Sequence, residues 1–172
     1  MPGMKGGVGS ASARLGDVVI AALVVVNASG DIIDWRNGTI VAGARMADGR
    51  GFARTVEVLR RDLETRPAGR APLADVPLSA TTLAVVATNV ALTKTELTKL
   101  AMMANTGAAR AINPYHTQSD GDQVLTVSTG AAHPGVSLTV LGAIAAEVLS
   151  DAIVRAVRAA TGVAGWRAVR DL

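Results

Sequence analysis

Thr81 is the residue of this chain best placed to do chemistry. It heads the apolar run Thr82-Leu83-Ala84-Val85-Val86-Ala87-Thr88, directly after a connection that holds three prolines. A threonine hydroxyl is a poor nucleophile until a base removes its proton. A free α-amino group on the same residue can be that base, because its unperturbed pKa is about 8. Cutting the chain between Ala80 and Thr81 would create such an amine, and exposed connections are where chains are cut. One residue would then hold both nucleophile and base. The plainer alternative is structural, since a β-branched threonine suits a strand entry.

Other side chains carry chemistry only in combination. Asp120-Gly121-Asp122 reads as a solvated turn, or as two carboxylates beside the Thr81 amine that orient it and tune its proton affinity. A calcium loop needs further oxygen ligands that the flanking residues do not supply. Asn27 ends an apolar strand. It serves either turn chemistry or, through its amide, hydrogen bonding to a developing oxyanion. His116 and His133 each lie near a proline and lack metal-ligand spacing; both read as structural, with His116 a candidate pocket wall. The chain has no cysteine, which excludes a thiol nucleophile, a disulfide framework and a thiolate metal site. No Gly-Lys-Ser/Thr phosphate loop follows the glycine-rich start. Neither a cofactor nor a metal is expected.

The elements that must position these residues follow from composition and patterning. With 172 residues, 49% of them hydrophobic and few aromatic, the chain fits a single α/β domain of helices layered on sheet. Gly3 to Ser12 reads as a glycine- and serine-rich lead. Val18–Val26 reads as a strand buried on both faces, and Asp31–Trp35 and Thr39–Val41 as strands joined through Asn37-Gly38. Val56 to Leu63 reads as a short helix and Thr65–Ser79 as an exposed connection. Thr82–Thr88 is the strand behind the candidate nucleophile. Thr93-Lys94-Thr95-Glu96 is a capping box opening a helix, Gln123–Ser128 alternates like a half-buried strand, and Ser137 to Thr161 is a long helix closed by Gly162.

The charge balance is 17 basic against 14 acidic residues, net +3 and scattered, with one Tyr and one Phe. That argues against a nucleic-acid partner. The longest apolar run is too short to cross a bilayer and lacks the pattern of a signal peptide, so a cytoplasmic protein with no membrane partner is expected.

In this order, several segments resemble the DmpA-type aminopeptidases (L-aminopeptidase/D-esterase) and the nylon-oligomer hydrolases. They are Lys5-Gly6-Gly7-Val8-Gly9-Ser10-Ala11-Ser12, Val24-Val25-Val26-Asn27, Thr81 through Asn89, His116 through Asp122, and Leu141-Gly142-Ala143-Ile144-Ala145. The resemblance implies an N-terminal-nucleophile hydrolase with a layered α/β/β/α sandwich of the DmpA and ornithine acetyltransferase type. It implies self-cleavage into an α-like part, 1–80, and a β-like part, 81–172. Thr81 matches the nucleophile, Asn27 the asparagine supporting the oxyanion, and Asp120 and Asp122 the polar pair near the nucleophile. The substrate would be a small peptide or amide, cleaved through an acyl-enzyme. Acyl transfer of the ornithine acetyltransferase type and a non-catalytic subunit are the alternatives.

Two departures from the family stand out. Ala80 replaces the usual Asn or Gly before the cut, although ornithine acetyltransferases cut between Ala and Thr. Family members are also roughly twice as long, so the sandwich is expected to be incomplete, without a lysine or tyrosine contributed upstream. Lys5 is assigned to the glycine-rich segment and not to that role. A sandwich with an open core face would call for a partner or an oligomer, with a homo-oligomer expected.

Overall fold

The computed structural model describes residues 3–70, 80–132 and 135–172. Part of the expected connection before Thr81 and His133 therefore lie outside the described residues. In chain order the elements are β1 (Gly7–Leu15), β2 (Val18–Val26), β3 (Asp31–Asp34), β4 (Thr39–Ala42), α1 (Thr55–Thr65), β5 (Leu83–Val90), α2 (Lys94–Ala111), β6 (Ile112–Asn113), β7 (Gln123–Ala132) and α3 (Leu138–Ala159), followed by a 3-10 turn at Val169–Asp171.

Four strands form the main sheet in the order β1-β2-β5-β7, and β4-β3-β6 form a smaller one. The β1/β2 and β2/β5 pairs are antiparallel. β5 and β7 run parallel, as they must when a helix carries the chain from one to the other. The capping box forms as written: Thr93 accepts from the Glu96 N–H, and the Glu96 carboxylate accepts from the Thr93 N–H. The glycine- and serine-rich lead becomes β1 because α3 lies close against it. A methyl at Gly9 would come within 2.3 Å of the Ala152 carbonyl oxygen.

The core sits between one face of the main sheet and the pair α2/α3. Ile20, Val24 and Val86 meet Leu100, Leu141, Leu149, Ile153 and Val157 there, all fully buried. Each such side chain contributes about 1.5–3 kcal/mol on leaving water.

The opposite face corrects the reading of Val18–Val26 as doubly buried. Val8, Val25 and Leu83 adjoin across three strands, as do Leu23, Val85 and Leu125. These side chains remain 37–58% exposed. Among the described residues one helix layer and one large sheet layer are present, and the far side of that sheet is bare aliphatic surface.

Candidate active site

Strand pairing delivers Thr81 to one end of the main sheet. Because Val25 pairs with Leu83, the chain leaving β2 at Asn27 passes beside the chain entering β5. The main-chain carbonyl of Asn27 accepts the Thr81 N–H at 2.8 Å. On the other side the parallel β5/β7 ladder continues past the strand end, where Ala80 bridges to Asp120. The Gly121 N–H donates to the Ala80 carbonyl at 3.1 Å, and the Gln123 N–H to the Thr82 carbonyl at 2.9 Å. Thr81 Oγ1 donates to the Ala80 carbonyl oxygen at 2.6 Å. The peptide bond between Ala80 and Thr81 is thus held at its N–H from β2, at its C=O from the 117–122 turn, and has the candidate nucleophile beside it.

The two carboxylates build that turn. Asp120 accepts from Ser29 Oγ at 2.8 Å on one oxygen, and from the Thr117 N–H at 3.0 Å and Thr117 Oγ1 at 2.7 Å on the other. Asp122, which is buried, accepts from the Thr82 N–H at 2.6 Å and the His116 N–H at 3.1 Å. Both therefore flank Thr81. Among the described residues, neither is hydrogen-bonded to it in the uncut chain, and neither has a cationic partner within ion-pair distance. Their oxygens are occupied by N–H and O–H donors, which argues against a calcium loop. Among the described residues no group of three His, Cys, Asp or Glu could hold a metal ion.

Tyr115 reports the field of this pair. Its hydroxyl donates to Asn105 Oδ1 at 2.7 Å. Burial first, then the negative charge of Asp122 and Asp120, pushes its pKa well above the ordinary tyrosine range, so it stays a phenol. His116 stacks on Tyr115 with ring centroids 5.7 Å apart. His116 also adopts a left-handed backbone, with φ of 56°, and it does not line the cavity described next.

A cavity of about 530 Å³ opens beside the Ala80 end of the bond. Asn27, Ser29 and Ala80 form one wall, Lys5 and Trp166 another, and Ile32, Ala42 and Val157 supply apolar surface. Lys5, which the sequence assigns only to the glycine-rich segment, thus lines the cavity beside Ala80. Its Nζ donates to the Gly6 carbonyl at 3.3 Å. Ser29, Tyr115 and Thr117 were also missed, because nothing in their spacing points to Thr81; only the folded turn brings them there. Thr82 Oγ1 is buried with no partner among the described residues.

Comparison with known proteins bears on family and fold. The family model described as Peptidase family S58 matches residues 1–170. An uncharacterized aminopeptidase of Mycobacterium tuberculosis is 37% identical, over 98% of this chain and 52% of its own length. A 6-aminohexanoate-oligomer endohydrolase of Paenarthrobacter ureafaciens is 37% identical, over 87% of this chain and 44% of its own. Among solved structures, a beta-aminopeptidase of Burkholderia sp. superposes with a TM-score of 0.56 and 26% identity, covering 90% of this chain and 42% of that one. The L-aminopeptidase D-Ala-esterase/amidase of Ochrobactrum anthropi, described as a variant of the Ntn-hydrolase fold, gives 0.55 at 20% identity, covering 98% and 45%, which bears on fold alone. The chain spans about half the length of the curated relatives it matches. The expected layered fold, incomplete as a sandwich, accords with these neighbours and with the bare sheet face.

Proposed function

This chain belongs to peptidase family S58, and from that premise we propose that it hydrolyses amide bonds through an acyl-enzyme on Thr81, after cutting itself between Ala80 and Thr81. The observation that carries this reading is the placement of Thr81 Oγ1, 2.6 Å from the carbonyl oxygen of the bond to be cut. Cleavage would divide the chain into 1–80 and 81–172.

The freed Thr81 amine keeps the Asn27 carbonyl as its acceptor and takes the proton from Oγ1 as that oxygen attacks the substrate carbonyl. Asn27 also lines the cavity, and its amide is assigned to the oxyanion. Asp120 and Asp122 hold the turn and supply negative potential, which favours the protonated amine between turnovers. A small peptide or amide substrate suits the cavity, with linear amide oligomers of the kind named for the Paenarthrobacter relative as one candidate class.

The homo-oligomer is proposed on the bare aliphatic face; sedimentation showing a monomer would contradict it. Among the described residues no helix is long and apolar enough to cross a membrane. The test of the catalytic reading is Thr81→Ala, which should stop both processing and amide hydrolysis. Hydrolysis at the wild-type rate by that variant would overturn it.

A further inference from the structure

Gly121 stands between the two carboxylates, and neither turn chemistry nor conformation explains it. Its φ is not among the positive values that several other glycines of the chain adopt, so an alanine could take the same backbone. What a side chain would meet is Thr81: a methyl at Gly121 would lie 2.7 Å from Thr81 Oγ1 and 3.5 Å from its Cγ2. The same residue's N–H points at the Ala80 carbonyl oxygen, at 3.1 Å. Both the nucleophile and the carbonyl it would attack therefore face one glycine.

We propose that Gly121 is a catalytic residue of the self-cleavage step: its main-chain N–H stabilises the oxyanion that forms on Ala80, and its missing side chain keeps open the space Thr81 Oγ1 needs. This rests on the reading of Thr81 as the nucleophile. In the step, Thr81 Oγ1 bonds to the Ala80 carbonyl carbon and the carbonyl electron pair moves onto the oxygen facing the Gly121 N–H. The bond from that carbon to the Thr81 nitrogen then breaks, and the Oγ1 proton ends on the nitrogen, leaving an amine and an ester. Water adds to the ester carbonyl, the carbon–Oγ1 bond breaks, Oγ1 regains a proton from the water, and Ala80 ends as a carboxyl group.

The donor needs no reorganisation. Asp120 is tied to Ser29 and Thr117, and Asp122 to Thr82 and His116, so both neighbours of Gly121 are anchored. The bridge between Ala80 and Asp120 extends a parallel ladder and does not hang on a free loop. A fixed donor aimed at developing charge is worth more than one that must turn to meet it.

The experiment follows cleavage of freshly translated full-length chain by mass spectrometry, for the wild type, for Gly121→Ala, and for a chain with glycolate in place of Gly121. Glycolate replaces the N–H with an ester oxygen. Loss of the donor should slow cleavage about 100-fold, and Gly121→Ala should slow it at least about 10-fold, given a contact inside van der Waals distance. Folding is checked in a background without Oγ1: Thr81→Ala/Gly121→Ala should melt together with Thr81→Ala. Wild-type cleavage with both altered chains cut at the same rate would overturn the role of Gly121 and leave Thr81 standing. Unfolding of the double variant would overturn the argument from space. A wild type that stays uncut would remove the reading on which the proposal rests.

Discussion

Two pairs of aspartates tie distant segments of this molecule together, and they do so by different chemistry. At the helix-covered side, Asp151 on α3 binds the guanidinium of Arg36 and accepts from Trp35 Nε1 at 2.8 Å, while Asp34 binds Arg158 at 2.9 Å. Arg36 also stacks over the Trp35 ring. At the Thr81 end, Asp120 and Asp122 take only N–H and O–H donors among the described residues. The first pair is neutralised by arginines and fastens β3 and its turn to α3. The second has no cationic partner among the described residues and flanks the Ala80–Thr81 bond. Charge left unpaired near a reacting group marks a site, whereas charge paired with arginine marks a joint.

The largest effect that tests this contrast is Asp122→Ala. It strands the Thr82 and His116 N–H groups, and at 1–3 kcal/mol for each buried unsatisfied donor the loss should be about 3 kcal/mol, with no self-cleavage. Chemical denaturation and intact mass read both. Stability and cleavage close to wild type would erase the distinction between the pairs.

Asp120→Asn should act on chemistry more than on stability. The mature amine must be neutral to serve as base, so turnover falls as pH drops through its pKa. A nearby negative charge raises that pKa above the usual value of about 8. Removing the Asp120 charge should therefore move the acid limb of the rate profile to lower pH. An unmoved limb would mean that the field felt by Tyr115 does not reach Thr81.

How much of this was legible in the sequence follows from how local each feature is. The capping box at Thr93 and Glu96 uses residues three apart and could be read directly. Thr81, Asn27, Asp120 and Asp122 stood out by residue type, and the fold brings them to one sheet end. Their partners did not stand out. Ser29 reaches Asp120 and Asn27 reaches Thr81 only because β2, β5 and β7 are neighbours. The bare face of Val18–Val26 was invisible for the same reason: a run of aliphatic residues looks alike whether one side or both are covered. Lys5 was set aside because glycines surround it, yet those glycines let α3 approach β1 and place Lys5 on the cavity wall.

The smallest effect belongs to the paired side. Hydrogen bonding from Arg36, more than from Trp35, holds the Asp151 carboxyl below its ordinary range. A depressed carboxyl adds stability that is present above its unfolded pKa of about 3.9 and is lost as pH falls through the folded value. Arg36 is well exposed, so Asp151→Asn should cost no more than about 1 kcal/mol. It should also flatten the acid end of the stability profile and leave cleavage untouched. Slowed cleavage in this variant would blur the contrast from the other side.

The most direct test of the central claim is the intact mass of the purified wild-type chain. Two fragments, one ending at Ala80 and one beginning at Thr81, are the predicted result, since they give Thr81 the free amine that its chemistry requires. A single uncut chain, stable on prolonged incubation, would contradict it.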